Sequence, residues 1–264
     1  MRVIATFVML LWAGAASAAS HEDAARSWEG AEVFVTIETP EYRRVVIGGL
    51  LRAEYMQRIL GALDPAAPLG VIIHLHGCTF GHHDLAVRRQ ARFMASLGYV
   101  VFLPDSFRRA ERSPTCDPER RLRLADAPHR AVRQMRMEEL DYAIEQVLAF
   151  PWVRADRIFV AGYDEGGDAV LGYTHDAIRG RIAIAASCRF GVDLSRPLPT
   201  LIVTARDDPW YNRDDRPEAR DMCRRKAGAA LYVELAEQDG GLHDALIYGE
   251  AQIALWNFLV RASF

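Results

Sequence analysis

The chain has 264 residues and a formal net charge of −3 at neutral pH. This near-neutral balance argues against a nucleic acid or an anionic membrane as a partner, and we expect a small-molecule substrate or ligand instead. No linker or internal repeat divides the chain, so its length predicts a single domain over residues 19–264. The sequence gives no indication of the oligomeric state.

The first residues have the pattern of a secretory signal peptide. Arg2 precedes an apolar run, Val3–Trp12, which is followed by the small-residue sequence Ala16-Ser17-Ala18. We predict a signal peptide over residues 1–18, cleaved after Ala18, and an exported protein, periplasmic or secreted. The apolar run is too short to span a membrane comfortably, so a membrane anchor is the less favoured interpretation.

Four cysteines remain after that cleavage, and in an oxidising compartment an even number favours disulfides. Four cysteines allow three pairings. We favour Cys78 with Cys116 and Cys188 with Cys223, because each bond would tie a loop leaving one strand to a segment beyond the neighbouring strand. Unpaired buried thiols are the alternative.

Short apolar runs alternate with amphipathic stretches along most of the chain. The runs predicted as strands are Val33–Ile37, Val45–Leu51, Val71–Leu75, Val100–Leu103, Ile158–Ala161, Ile182–Ala186, Leu201–Thr204 and Leu231–Leu235. The stretches predicted as helices are Leu85–Leu97, Arg130–Phe150, Asp168–Ile178, Arg216–Lys226 and Glu250–Val260. This alternation predicts a doubly wound α/β fold with a mostly parallel sheet of about eight strands. Ligands of such sheets bind at the carboxyl ends of the strands.

One of the predicted strands runs into a turn of small residues. Residues 158–167 read Ile-Phe-Val-Ala-Gly-Tyr-Asp-Glu-Gly-Gly, so Asp164 stands where the G-x-S-x-G nucleophile elbow has its serine. The elbow forces its central residue into a strained conformation, and the glycines around it leave room for the chain. Aspartate tolerates positive φ better than most residues, so the turn can form around Asp164.

Other motifs follow neighbouring strands in the same chain order. They are His76-Gly77-Cys78, Pro104-Asp105-Ser106-Phe107, Asp207-Asp208-Pro209-Trp210 and Gly241-Leu242-His243. With the turn at Asp164, these motifs resemble the α/β-hydrolase superfamily, and within it exported dienelactone-hydrolase-like proteins, over about residues 70–260. The resemblance implies an α/β-hydrolase fold, and the short spacing between residues 187 and 200 leaves no room for a large cap domain.

The resemblance also implies roles for individual residues. Asp164 takes the nucleophile's position and His243 that of the general base. The acid that orients the histidine matches Asp207, with the adjacent Asp208 as a competitor. The backbone N–H groups of Cys78 and Glu165 match the donors of an oxyanion hole.

Asp164 leaves several functions open. A small ester or lactone is the substrate class that the resemblance implies, but a carboxylate that attacked an ester carbonyl would form a reactive anhydride. Asp164 and His243 could instead act as bases on a water. The scaffold could also be an inactive binding or regulatory module. A further alternative is an aspartate nucleophile acting at saturated carbon, as in haloalkane dehalogenases and epoxide hydrolases. Two features count against that alternative, the missing cap and the second carboxylate at Glu165. The segment 105–131 could cover the site instead, with Tyr142, Tyr163, Trp210 and Tyr211 as conceivable donors.

No cofactor motif is present, and we expect no cofactor. The histidines His74, His76, His82 and His83 match no metal-ligand spacing, so we expect no metal site either. Nine arginines lie between Arg108 and Arg136. They could recognise a carboxylate-bearing substrate, but the acidic residues among them favour a solvated, ion-paired surface.

Overall fold

A computed structural model describes residues 20–41, 43–79, 84–110, 112–206, 208–211, 222–228, 230–235 and 243–262, the side chains of 232–235 excepted. The predicted signal peptide, the acid candidate Asp207 and the histidines His82 and His83 lie outside these ranges. Within them, no helix is long and apolar enough to cross a membrane.

Ten strands in the described part of the chain form an eight-stranded sheet and a separate hairpin. The strands are β1 (Glu32–Ile37), β2 (Val45–Leu50), β3 (Leu69–Leu75), β4 (Tyr99–Leu103), β5 (Cys116–Asp117), β6 (Leu122–Arg123), β7 (Val153–Tyr163), β8 (Ile178–Ile184), β9 (Thr200–Ala205) and β10 (Leu231–Leu235). The sheet has the order β10-β9-β8-β7-β3-β4-β1-β2, and β5 pairs with β6. From β10 to β4 all neighbours are parallel, whereas β1 is antiparallel to both β4 and β2. The predicted mostly parallel α/β fold is confirmed.

Seven α-helices accompany these strands in the described ranges. They are α1 (residues 20–29), α2 (Glu54–Gly61), α3 (Leu85–Ser96), α4 (His129–Leu148), α5 (Glu165–Leu171), α6 (Met222–Lys226) and α7 (Gly249–Arg261). Helices α1 and α2 and the hairpin β5–β6 were not predicted. Only residues 222–226 of the predicted helix Arg216–Lys226 fall within the described helix α6.

The predicted helix Asp168–Ile178 is wrong in position. Helix α5 begins directly after the turn, at Glu165, and ends before Gly172, and Ile178 already starts β8. The predicted strand Ile182–Ala186 begins later than β8, because the first part of the strand is hidden in the sequence by Arg181, which lies fully buried in the middle of β8. Its guanidinium donates to the carbonyls of Leu171 and Tyr173, at 3.1 and 3.3 Å, just where α5 ends. A polar side chain that satisfies the end of a helix therefore interrupts the apolar pattern of the strand.

Both faces of the sheet are buried, as the near-continuous apolar strands predict. In β3, Ile72 packs into one hydrophobic cluster with residues of α3 and α7, while Val71 and Ile73 pack into a second cluster with α4. All three side chains are inaccessible to solvent. This two-sided core fixes the strands, and it places the residues that follow β3, β4, β7 and β9 along one edge of the sheet.

Two disulfides join the pairs predicted from the sequence. Cys78 is bonded to Cys116 and Cys188 to Cys223. The first bond ties the loop after β3 to the hairpin β5–β6. The second ties the loop after β8 to α6.

Candidate active site

The turn between β7 and α5 has the strained geometry predicted for a nucleophile elbow. Asp164 has φ 53° and ψ −113°, and its N–H donates to the carbonyl of Ile184 at 2.9 Å. A Cβ at Gly162 would lie 2.2 Å from the carbonyl oxygen of Gly166, and one at Gly166 would lie 2.5 Å from that of Leu75. Only glycine fits at these two positions, so the sequence Gly-Tyr-Asp-Glu-Gly encodes the turn.

Both oxygens of the Asp164 carboxylate are engaged. Oδ2 accepts the backbone N–H of Cys78 at 3.0 Å, one of the two N–H groups predicted for an oxyanion hole. Oδ1 accepts from Nη2 of Arg123 at 2.5 Å and from the hydroxyl of Tyr211 at 2.8 Å. Asp164 is only 2% exposed. The carboxylate is thus held in one orientation, with Oδ2 in the oxyanion position.

The predicted base, His243, lies between two carboxylates. Its Nδ1 is 2.6 Å from Oδ2 of Asp208, and its Nε2 is 3.7 Å from Oδ1 of Asp164. That distance is too long for a hydrogen bond, so Nε2 faces Asp164 without one. In the described part of the chain Nε2 has no hydrogen-bond partner. The structure thus places the carboxylate of Asp208, the alternative acid, against His243. Asp207 lies outside the described residues.

Burial and charge act in opposite directions on these groups. Burial by itself would lower the pKa of His243, but the carboxylates of Asp208 and Asp164 outweigh it and raise this pKa to about 9. Burial would raise the pKa of Asp164, but Arg123, His243 and the Cys78 N–H hold it well below its usual range. At neutral pH the site therefore contains an ionised Asp164 beside an imidazolium.

Three aromatic rings surround that imidazolium. Trp210 stacks on His243 with ring centroids 5.2 Å apart, and Tyr163 and Tyr211 lie at 5.0 and 5.7 Å. Aromatic faces attract cations, so these rings favour the charged ring. Burial first, and then neighbouring carboxylates, raise the pKa of Tyr211 well above its ordinary value, so its hydroxyl remains a donor.

The hairpin β5–β6 reaches the turn from the segment after β4. Its register sets Cys116 directly across from Arg123, and this cysteine is bonded to Cys78. Arg123 is buried. Its Nη2 binds Asp164 and also lies 3.4 Å from Oδ2 of Asp168. The hairpin therefore lies over the elbow, the place that a cap domain would cover in a protein that has one.

The second carboxylate of the turn does not face the site as a free charge. Oε1 of Glu165 accepts from Nη2 of Arg112 at 2.7 Å, and Oε2 accepts a short hydrogen bond from the hydroxyl of Thr115. Both donors come from the irregular stretch that leads into the hairpin. This stretch and the hairpin, residues 112–123, form a covering segment over the elbow, which thus neutralises the charge of Glu165.

The arginines between Arg108 and Arg136 form only in part the solvated surface that we expected. Arg108, Arg120, Arg121 and Arg130 are exposed, but others are not. Arg109, Arg123 and Arg136 are buried, and the side chain of Arg112 is 3% exposed. Arg112 and Arg123, which bind Glu165 and Asp164, were missed as site residues because their surroundings in the sequence are acidic. The signal that could have revealed them is the excess of arginine in a segment long enough to cover the elbow.

The two histidines near the end of β3, His74 and His76, are buried and hydrogen-bonded to neighbouring residues of the fold. His74 is fully buried and its Nε2 lies 2.9 Å from Oε1 of Gln90, and burial lowers its pKa to about 4. Nε2 of His76 accepts the backbone N–H of Ser106 at 3.0 Å. In the described ranges, no three His, Cys, Asp or Glu side chains group as a metal site.

The sequence matches the model of a known protein family. The model of the dienelactone hydrolase family matches residues 60–239, more than half of the chain. The chain belongs to this family. No curated protein sequence matches it. The matched range contains the elbow, the covering hairpin and Asp208.

Solved structures share the fold at low sequence identity. An esterase from Pyrococcus furiosus is 14% identical with a TM-score of 0.53, covering 86% of this chain and 91% of its own. A dienelactone hydrolase-like promiscuous phosphotriesterase from metagenomic libraries is 16% identical with a TM-score of 0.51, covering 88% and 99%. A putative dienelactone hydrolase from Klebsiella pneumoniae is 16% identical with a TM-score of 0.50, covering 88% and 97%. These similarities concern the architecture and do not transfer a substrate.

Proposed function

We propose that this protein is a hydrolase of small esters or lactones in which Asp164 attacks the saturated carbon of the C–O bond. The observation that carries the proposal is the orientation of the Asp164 carboxylate. Oδ2 rests on the Cys78 N–H, and Oδ1 faces Nε2 of His243. Carboxylates are effective nucleophiles at saturated carbon, and the low pKa of Asp164 keeps it ionised.

In the first step Oδ1 forms a bond to the substrate carbon, and the bond from that carbon to the ester oxygen breaks. The electron pair leaves with the substrate's own carboxylate. Arg123 can stabilise this anion, because its Nε has no hydrogen-bond partner among the described residues and its charge is permanent. The Tyr211 hydroxyl is a second donor at the same place.

The second step is hydrolysis of the alkyl ester on Asp164. Once Asp164 is esterified, it loses the negative charge that lies 3.7 Å from His243, so the pKa of His243 falls and the ring releases its proton to solvent. His243, oriented by Asp208, then takes a proton from water, and the hydroxide attacks Cγ of Asp164. The oxyanion forms on Oδ2 against the Cys78 N–H. Loss of the alcohol, which takes the proton from His243, leaves Asp164 as a carboxylic acid. This acid passes its proton to His243, which restores the ionised Asp164 and the imidazolium.

The covering segment removes the two objections that the sequence raised against this chemistry. The hairpin β5–β6 with Arg123 takes the place of a cap, and Arg112 and Thr115 neutralise Glu165. Acyl transfer through Asp164 is less well supported, because it would give an anhydride and because Oδ2 already occupies the Cys78 N–H. Direct attack by a water, with Asp164 and His243 as bases and no covalent intermediate, is likewise less well supported. At neutral pH His243 is protonated in the resting site and cannot accept a proton.

Accumulation of the covalent intermediate tests this function. His243→Gln keeps a polar side chain of similar reach but cannot act as the base. Incubated with β-butyrolactone, a strained lactone, the variant should accumulate one adduct on the peptide that contains Asp164, whereas the natural protein should turn the lactone over. His243→Gln/Asp164→Asn is the matched control for alkylation elsewhere. Absence of the adduct on Asp164 in His243→Gln would contradict the proposal.

A second function, that of a non-catalytic binding module, is favoured by one observation. Oδ1 of Asp164, the attacking oxygen, is also the oxygen bound by Arg123 and Tyr211 in the resting site. If this ion pair never opens, neither turnover nor an adduct forms with any lactone. The adduct experiment therefore separates the two functions.

We also propose that the protein acts in an oxidising compartment after export. Four cysteines are present in the sequence, and all four are paired in disulfides. Such pairs persist outside the cytosol. Cell fractionation with thiol labelling tests this, since free thiols at Cys188 and Cys223 in the native protein would contradict it.

A further inference from the structure

The Cys78–Cys116 disulfide joins the segments that carry two of the three groups bound to the Asp164 carboxylate; the third group is the Tyr211 hydroxyl. Cys78 supplies the N–H on Oδ2, and Cys116 lies directly across the hairpin from Arg123, which holds Oδ1. A single covalent bond thus links the segment that binds Oδ2 to the hairpin that binds Oδ1. The other disulfide, Cys188–Cys223, lies beside helix α6 in a separate small hydrophobic cluster.

The hairpin is one of the elements that cover Asp164 in the resting structure. Arg123 of the hairpin and Tyr211 of the segment after β9 both bind Oδ1, and Asp164 is 2% exposed. Each strand of the hairpin has only two residues, which is too short for backbone pairing to hold a ribbon by itself.

The hairpin and the irregular stretch before it contact the elbow through polar side chains. Arg123 binds Asp164, and Arg112 and Thr115 bind Glu165. Water or a charged ligand can replace such contacts one at a time, whereas the disulfide persists until it is reduced. The bond therefore limits how far the segment can open.

We propose that the Cys78–Cys116 disulfide is a redox-controlled latch on the active site. Attack by a dithiol breaks the S–S bond, and the dithiol ends as its own disulfide while Cys78 and Cys116 take up two electrons and two protons as thiols. The hairpin then opens more often and exposes Asp164. The opening itself follows from the contacts above, and its meaning as control of turnover rests on the proposed function.

Chemical labelling of Asp164 measures the opening without any turnover. Carbodiimide with glycinamide converts accessible carboxyl groups to amides, and peptide mass spectrometry gives the rate at Asp164. The rate should rise about tenfold or more in Cys78→Ser/Cys116→Ser. It should stay unchanged in Cys188→Ser/Cys223→Ser, which lacks the other bond. Equal rates at Asp164 in the two variants would overturn the latch.

A titration of the natural protein with dithiothreitol provides the second measurement, should the double variant fail to fold. Labelling of Asp164 should rise together with the appearance of the Cys78 thiol while the far-ultraviolet circular dichroism stays constant. Labelling that follows the Cys188 thiol instead, or that does not rise, would contradict the proposal. If the Asp164 adduct never forms but labelling responds to reduction, the proposed function fails and the latch stands. If the adduct forms at the same rate in both redox states and labelling is unchanged, the latch fails alone.

Discussion

Nη2 of Arg123 lies 2.5 Å from Oδ1 of Asp164, and the side chains of both residues are less than one-tenth exposed. This ion pair connects the covering hairpin to the turn at the end of β7. In the resting site Arg123 neutralises the carboxylate of Asp164. In the proposed reaction the same arginine stabilises the carboxylate that leaves with the substrate.

Loss of the arginine should destabilise the protein, because the Asp164 charge would remain buried without its partner. We expect Arg123→Met to lower the free energy of unfolding by about 3 kcal/mol in urea titrations at pH 7. Arg130→Met, which removes an exposed arginine at the start of α4, is the control and should cost less than about 0.5 kcal/mol. Adding Asp164→Asn to Arg123→Met should recover part of the loss. A loss for Arg123→Met no larger than that of the control would contradict the account.

The pKa of His243 predicts a pH dependence of stability. In the folded protein this pKa is raised to about 9 from an ordinary value of 6.5, so the folded state holds the proton more tightly. The resulting stabilisation is fully present below pH 6.5 and is lost as the pH rises through 9. Its size is about 3 kcal/mol, since each pKa unit corresponds to about 1.4 kcal/mol. Urea titrations between pH 6 and 10 should show this decline in the natural protein and a much smaller one in His243→Gln. Parallel pH profiles for the two proteins would count against a raised His243 pKa.

The identity of the orienting acid can be decided by a pair of variants. Asp208→Asn should lower the pKa of His243 from about 9 toward its ordinary value, because the carboxylate 2.6 Å from Nδ1 is lost. Nuclear magnetic resonance titration of the imidazole gives this pKa directly. Asp207→Asn should change it less. A larger decrease in Asp207→Asn would assign the role to Asp207, as first predicted from the sequence.

A serine at the elbow should restore ester hydrolysis by acyl transfer. Asp164→Ser frees the Cys78 N–H for an oxyanion and removes one of the two carboxylates that raise the pKa of His243. We expect this variant to hydrolyse p-nitrophenyl acetate at pH 8 about 100-fold faster than Asp164→Ser/His243→Ala. That double variant sets the background from surface groups. Equal rates would show that His243 and the oxyanion position do not form a working hydrolase site.

Much of the fold and the location of the site follow from local sequence. The apolar runs of β3, β4 and β7 predict a buried parallel sheet, and Gly162 and Gly166 predict the turn that carries Asp164. His243 was assigned by the order of the motifs, and the structure brings it to Asp164. These features depend on residues that are close in the chain or on a motif order that the sheet imposes.

The covering segment could not be predicted in the same way. Arg123 is 41 residues from Asp164, and only the hairpin with its Cys78–Cys116 bond brings the two together. The interleaved acidic residues made the arginines look like a solvated surface, and Arg181 concealed the start of β8. Buried charges are paired through tertiary contacts, so their partners are not visible in the pattern of a single segment.

Oxygen-18 labelling of a single turnover tests the role of Asp164 most directly. With enzyme in excess over β-butyrolactone in ¹⁸O-labelled water, attack by Asp164 on the saturated carbon places an unlabelled Oδ1 in the product hydroxyl. The account therefore predicts an unlabelled first product and ¹⁸O in the Asp164 peptide, with Asp164→Asn giving neither turnover nor label. Label in the carboxylate of the first product would indicate acyl–oxygen cleavage, and label in its hydroxyl would indicate direct attack by water. Either result, with no ¹⁸O in Asp164, would contradict the account.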